Sequence, residues 1–206
     1  IMTSTLKVRN IEMGEGAASD SKILFDGNAQ DFHIGLDDSS DSLTIGLGST
    51  LGTTSHMVID ANGHITKPLQ PAFLARPTST QGSIAVGTTT TIVFGTEIYD
   101  QNGDFASNIF TAPIGGRYFL NLQVRMNNVD IDVDYYQLRI STSNRVYMSI
   151  IDPDLGDQNY GMYSMHVNVL ADMDASDTAT PEITIIGGAN TMDIHTESHF
   201  SGFLVC

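Results

Sequence analysis

Carboxylates are the side chains in this sequence whose spacing most suggests chemistry. Asp130, Asp132 and Asp134 alternate in one segment, and Asp152, Asp154 and Asp157 surround a proline and a glycine in another. Carboxylate oxygens are the ligands that Ca²⁺ prefers, although neither segment has the glycine and glutamate positions of an EF-hand loop. The two segments are a candidate calcium site. The alternative is that both are solvated, aspartate-rich loops.

The sequence contains no recognisable catalytic motif. It lacks the Gly-x-Ser-x-Gly turn that presents a serine nucleophile, and it has no glycine-rich phosphate-binding loop between a strand and a helix. The one cysteine is the last residue, Cys206, and the six histidines do not have zinc-ligand spacing. We therefore expect no enzyme and no resident cofactor besides the candidate Ca²⁺. A pair of acids acting as a glycan depolymerase stays open as a third alternative.

The charge of the chain limits its partners. The formal net charge is −15, from 24 acidic and 9 basic residues. An acidic surface repels phosphate backbones and anionic lipid head groups, so nucleic acid and membrane surfaces are poor partners. No apolar run approaches the roughly 20 residues of a membrane-spanning helix, and no signal peptide is visible. We expect no membrane insertion.

The elements that must position these residues are β-strands. Sustained helical periodicity is absent, and short runs of β-branched and aromatic residues alternate with turn residues. The clearest strand runs from Gly116 to Met126, where apolar and polar residues alternate. Two prolines in residues 67–71 predict a linker, because proline is excluded from central strands.

Residues 1–66 differ from the rest of the chain. Their strands are short, Asn62 and Gly63 suit a tight hairpin turn, and the apolar residues are too few for a private core. Such a segment needs other chains to cover it, so we interpret it as an intertwined trimeric β-stem. An independent small β-domain is the alternative.

Residues 71–206 resemble the C1q/tumour-necrosis-factor jelly-roll family. The segment from Phe110 to Phe119 (FTAPIGGRYF) is similar to the family's F-x-A-P-x-x-G-x-Y segment. Pro71 to Ala75 resembles its opening strand, and Ser198 to Val205 resembles its closing strand. The connection around residues 174–177 departs from the family pattern.

The resemblance implies an all-β head at 72–206, a ten-stranded jelly-roll sandwich that assembles as a trimer. It implies that one set of residues packs the core or the trimer contact: Phe73, Phe110, Tyr118, Leu120, Phe200 and Phe203. In an antiparallel jelly roll whose termini share one end, the loops at 127–135, 151–160 and 187–191 lie at the other end. The candidate receptor-facing residues in these tip loops are Asn127, Asn128, Asp154, Gln158, Asn159 and Asn190.

The stem is similar to repeats of bacteriophage tail fibres and spikes. That similarity rests on residues 25–28, 34–37 and 59–63. It predicts a homotrimeric receptor-binding protein at the distal end of a virion fibre, bound upstream to other virion proteins and facing a host cell-surface glycan or protein. A C1q-like adhesin or lectin that is secreted or held on a bacterial surface is the second interpretation.

Overall fold

A computed structural model describes residues 8–154 and 158–206, and every regular element in these residues is a β-strand. The chain divides into two compact units, residues 1–69 (unit 1) and residues 70–206 (unit 2). The division falls within the proline-containing segment 67–71. In the part of the chain that the structure describes, no helix has the length and hydropathy to cross a membrane.

Unit 1 is a single antiparallel sheet in which each strand pairs with the next in the chain. Its strands are β1 (Ser21–Phe25), β2 (Phe32–Asp37), β3 (Ser42–Leu47), β4 (Ser55–Ile59) and β5 (Ile65–Thr66). The predicted turn at Asn62 and Gly63 joins β4 to β5, with Gly63 at φ +85°. Asp60 accepts backbone hydrogen bonds from Asn62 and His64, both at 2.9 Å. The hydrogen bonds from His64, led by that of its side chain, lower the pKa of Asp60.

Unit 2 contains the remaining strands, in two sheets. They are β6 (Ala72–Arg76), β7 (Gln81–Ile84), β8 (Thr89–Thr91), β9 (Thr96–Gln101), β10 (Phe105–Ala106), β11 (Ile109–Thr111), β12 (Gly116–Val129), β13 (Val133–Thr142), β14 (Val146–Ile151), β15 (Tyr160–Met173), β16 (Thr178–Gly187), β17 (Met192–Ile194) and β18 (His199–Leu204). One sheet has the order β7-β17-β12-β18-β6-β9, with β15 also paired to β12. The other has the order β10-β11-β16-β13-β14, with β8 paired to β16.

The strand order of unit 2 is that of a jelly roll. Number its eight principal strands β6, β11, β12, β13, β14, β15, β16 and β18 from one to eight. One sheet then has the order 1-8-3-6 and the other 2-7-4-5, which is the double Greek key of a jelly roll. The predicted all-β jelly roll is confirmed. The described part of unit 2 has thirteen strands rather than ten, because short edge strands flank the principal ones.

The core of unit 2 lies between the two sheets and is centred on stacked aromatic rings. The ring of Phe73 stacks on Phe105 and on Phe110, each with centroids 4.9 Å apart, and meets Phe200 edge-on at 5.0 Å. Tyr118 packs against Phe110 at 5.3 Å, and its hydroxyl donates a 2.9 Å hydrogen bond to a backbone carbonyl. Such aromatic packing stabilises a core beyond the area that it buries.

The alternation of β12 explains how this core forms. Tyr118, Leu120, Leu122 and Val124 are fully buried, while the residues between them face outward. Five of the six residues that the resemblance implied for packing lie in this core: Phe73, Phe110, Tyr118, Leu120 and Phe200. Phe203 lies outside this core, because its side chain on β18 points to the outer side of the sheet and is 47% exposed.

Candidate functional site

The sheet of unit 1 has one face made almost entirely of apolar side chains. The strand registers align Ile23 with Ile34 and Ile45, and they align Phe25 with Phe32. Because side chains alternate between the two faces of a sheet, the aligned residues share a face. The complete set, called here the apolar face, is Ile23, Phe25, Phe32, Ile34, Leu36, Leu43, Ile45, Leu47, Met57, Ile59 and Ile65.

The apolar face is open in the single chain. Six of its members are between 42% and 58% exposed: Ile23, Phe25, Phe32, Leu36, Leu43 and Ile65. Strands lie about 4.8 Å apart and rise about 3.3 Å per residue, so five short strands span on the order of 400 Å². Soluble monomers rarely expose contiguous apolar patches larger than a few hundred Å², and the largest patch on a protein is often functional.

The centre of the opposite face of the same sheet has small and polar side chains, and these are already covered. His33, Ser42 and Thr44 are at most 3% exposed, and the Nδ1 atom of His33 lies 2.8 Å from the carbonyl oxygen of Gly48. A Cβ atom at Gly46 would lie 2.7 Å from the His33 ring, so glycine is required beneath it. Glycine at this strand position allows the close approach of the His33 ring. The larger open apolar surface of this sheet is therefore the apolar face, and on the opposite face Leu24 is 40% exposed.

The tip of unit 2 brings together three loops around one buried carboxylate. Asp130 is 1% exposed, and its side chain accepts hydrogen bonds from the Asn190 amide at 2.7 Å and from the Asp132 backbone at 3.1 Å. Asn159 accepts a 3.0 Å hydrogen bond from the backbone N–H of Ile131. Residues 127–132, 158–161 and 188–191 are therefore tied to one another at this end of the sandwich.

The hydroxyl of Tyr136 supports the same loop from inside. It accepts a 2.8 Å hydrogen bond from the Asp130 N–H and donates one of 3.2 Å to the Asp130 carbonyl oxygen. Burial raises the pKa of Tyr136, and the Asp130 carboxylate raises it further. The neutral hydroxyl is thus retained as both donor and acceptor.

An open cleft of about 450 Å³ lies between these loops. It is lined by Asn128, Asn159, Tyr160, Gly161, Asn190 and Thr191. Asn128 has a positive φ of 60° and donates a 3.0 Å hydrogen bond from its amide to Asp193. Asp193 also accepts a 2.9 Å hydrogen bond from the Ser83 N–H, so that carboxylate links the cleft to β7. The lining offers amides, hydroxyls and one aromatic ring.

The outer side of the sheet that contains β12 carries a second, smaller apolar row. Phe203, Phe119 and Leu170 are directly opposite one another on β18, β12 and β15, and they are 47%, 37% and 53% exposed. Further along, Gln123 lies between His199 and His166. Burial lowers the pKa of His199, and His166 lowers it further.

Comparison with known proteins gives similarity of structure only. No protein-family model matches the chain, and no curated protein matches it. The globular domain of zebrafish complement 1qA protein is similar over 66% of this chain and 98% of that domain, with 19% identity and a TM-score of 0.46. Murine APRIL, solved at pH 8.5, is similar over 66% of this chain and 99% of its own, with 11% identity and a TM-score of 0.47. At these values neither carries an argument, and the jelly-roll assignment rests on the strand order of unit 2.

The cleft contains some of the residues that the sequence nominated for recognition. Asn128, Asn159 and Asn190 line it, whereas Asn127, Asp154 and Gln158 do not. Asn127 instead has a buried side-chain oxygen without a hydrogen-bond partner among the described residues. Tyr160 and Thr191 lie in the loops predicted at 151–160 and 187–191 but were not among the predicted receptor-facing residues, and Gly161 lies outside those loops. The register of β15 against β12, which opposes Tyr160 to Val129, brings Tyr160 and Gly161 to the cleft, and no local motif encodes it.

The candidate calcium ligands are not gathered within one chain. Asp130 is buried and already hydrogen-bonded, while Asp132, Asp134, Asp152 and Asp154 are exposed, and Asp157 lies outside the described residues. Asp152 accepts a 3.1 Å hydrogen bond from the backbone of Asp154. Among the described residues, no three histidine, cysteine or acidic side chains are placed to hold a metal ion. A calcium site shared by three copies stays a prediction.

Proposed function

We propose that this chain is the subunit of a homotrimeric structural and receptor-binding protein. Unit 1 associates the chains through its apolar face, and unit 2 presents its tip loops to a target. The observation that carries the proposal is the open apolar face, where six large side chains are more than 40% exposed. Burial of apolar surface is the main driving force of protein association.

In this trimer the apolar face of each chain is covered by the same face of two further copies. The face has no charged residue, so it offers no partner to a charged surface. A protein with a net charge of −15 repels its own copies at long range, and burial of the apolar face on association offsets that repulsion. Three such faces turned inward enclose a core that none of the chains has alone.

We place this trimer at the distal end of a bacteriophage tail fibre or spike, on the virion surface. Support comes from the sequence similarity of the stem and from a tip whose loops are tied together around Asp130. Binding residues are commonly held on loops by a rigid β-scaffold. The tip would contact a glycan or a protein on the host cell, and other virion proteins would hold the stem.

Cell binding tests this function. The labelled chain is applied to a panel of bacterial strains beside Ile23→Glu, a variant expected to separate the chains. Linked binding sites gain avidity from effective concentration, so the parent should bind at least one strain and the variant should bind it at least tenfold more weakly. If the parent and Ile23→Glu bound equally well, cell binding would not depend on a trimer. Failure of the parent on every strain, together with binding to eukaryotic cells, would favour the adhesin interpretation.

A further inference from the structure

The amides of the tip cleft are fixed in orientation by the groups behind them. Asn128 donates to Asp193 at 3.0 Å, Asn190 donates to Asp130 at 2.7 Å, and Asn159 accepts from the Ile131 N–H at 3.0 Å. Among the described residues, the opposite end of each amide has no such partner. The cleft therefore presents carbonyl oxygens from Asn128 and Asn190 and an NH₂ group from Asn159. All three side chains are exposed.

The cleft also has an aromatic ring on one side, and next to it a glycine that a ligand can approach closely. Tyr160 lines the cleft with an aromatic ring that is half-buried against the core, so the ring is held in place. The next residue is Gly161, where an added Cβ would find no atom within 4 Å. Thr191 adds a hydroxyl on the other side. A ligand with a flat apolar face has room to lie against Tyr160.

The charges around the cleft exclude anions. None of the six lining residues is basic, and the carboxylates of Asp130 and Asp193 stand directly behind two of the amides. An anionic ligand would approach two buried or half-buried carboxylates without any cation to pair with. The lining contains no aliphatic side chain, so the cleft is a poor site for the apolar anchor side chain of a peptide. What remains is a neutral ligand that both donates and accepts hydrogen bonds.

We propose that the tip cleft binds a neutral saccharide. Sugar hydroxyls donate to the carbonyl oxygens of Asn128 and Asn190 and accept from the NH₂ group of Asn159, while a face of C–H groups packs on Tyr160. This assignment rests on the proposed function and names the class of target that the tip recognises. Three copies in one trimer convert weak single-site binding into stable attachment.

Two substitutions and one control distinguish loss of the cleft from loss of the fold. Gly161→Leu fills the cleft, and the space around Gly161 is open and its φ is not positive, so the chain accepts the side chain without strain. Gly115→Leu is the matched control at the opposite end of β12, because Gly115 is also exposed and its added Cβ has no contact closer than 3.9 Å. Asn159→Asp keeps the acceptor for Ile131 and removes the NH₂ donor.

The experiment is an array of immobilised oligosaccharides that carries neutral glucose-, galactose-, mannose- and N-acetylglucosamine-terminated chains beside sialylated and phosphorylated ones. The full-length parent should bind at least one neutral class and no acidic class. Gly161→Leu and Asn159→Asp should each weaken that binding at least tenfold, and Gly115→Leu should leave it unchanged. Preference for acidic saccharides, or neutral binding that Gly161→Leu does not affect, overturns the proposal.

Cells that bind the parent can show whether the proposed ligand class is wrong or whether the tip cleft is not the binding site. Suppose that no saccharide binds, while Gly161→Leu abolishes cell binding and protease treatment of the cells does the same. In that case the tip binds the receptor and the receptor is a protein. The proposed function then stands, and the proposal that the ligand is a saccharide is wrong. If cell binding is unchanged in Gly161→Leu, both the cleft and its ligand class are rejected.

Discussion

The two units of this chain use the same element, an antiparallel sheet, with opposite results. Unit 2 folds two sheets over one another, and the aromatic side chains between them, such as Phe73, Tyr118 and Phe200, are at most 1% exposed. Unit 1 has one sheet, and its largest aromatic side chains, Phe25 and Phe32, are 53% and 42% exposed. A single sheet has no second layer to cover its apolar face. Unit 2 closes its core within one chain, whereas the apolar face of unit 1 stays open in one chain.

The largest effect on assembly is expected where this contrast is greatest, on the apolar face. Ile23 and Leu24 are neighbours on β1 with similar exposure, 47% and 40%, but only Ile23 belongs to the apolar face. Ile23→Glu places an unpaired charge in the contact between chains, so we expect it to raise the dissociation constant of the assembly at least a hundredfold, which is about 2.7 kcal/mol. Analytical ultracentrifugation measures the change.

Leu24→Glu is the control for that substitution, since it adds the same charge one residue away on the other face. It should leave the assembly intact. If both variants dissociate, the charge acts without regard to the face, and the assignment of the contact surface is wrong.

The core of unit 2 should respond to loss of volume rather than to charge. Tyr118 is fully buried, packs on Phe110 and donates to the carbonyl oxygen of Ile114. Tyr118→Ala should lower the free energy of unfolding by about 3–5 kcal/mol, the usual cost of emptying a buried aromatic site. Tyr118→Phe, which removes one hydrogen bond, should cost about 1 kcal/mol. Denaturant unfolding gives both values, and coincident curves for parent and Tyr118→Ala would contradict the core position.

The tip loops should show an intermediate effect. Asp130→Ala leaves the Asn190 amide and the Asp132 N–H without their acceptor, so we expect a loss of about 1–3 kcal/mol. Asp130→Asn keeps one acceptor oxygen and should lose less. Calorimetry of the variants tests the order. A stability equal to that of the parent would show that Asp130 does not tie the loops.

The smallest effect concerns His199 on the outer side of the sheet. Its pKa is lowered from 6.5 by burial and then by His166, and the Asn121 amide lies 3.2 Å from its Nε2 atom, where it can donate to the neutral ring. As the pH falls through 6.5, the unfolded chain takes up a proton more readily than the folded chain, so stability decreases with acidity. The melting temperature should fall between pH 7.5 and 5.5, and His199→Gln should reduce that fall. If the melting temperature of His199→Gln fell with pH as steeply as that of the parent, other titratable groups would cause the pH dependence.

Local patterns in the sequence predicted much of the fold. The alternation in residues 116–126 predicted β12, and the Asn62–Gly63 pair predicted the turn between β4 and β5, because both depend on neighbours in the chain. The similarity of three segments to a known family predicted the jelly roll. Burial of Asp130 was not predictable, since it depends on Tyr136 and on Asn190, which is sixty residues away. The cleft likewise depends on loops that the sequence cannot align by spacing alone.

The molar mass of the purified full-length chain in solution tests the central claim most directly. Light scattering at micromolar concentration should give about three times the 22.2 kDa mass of one chain, because we expect other copies to cover the open apolar face. A mass of two chains would be consistent with the apolar face as the contact surface but would reject the trimer. A folded species of 22.2 kDa, stable at that concentration, would contradict the account of unit 1 and the trimeric function built on it.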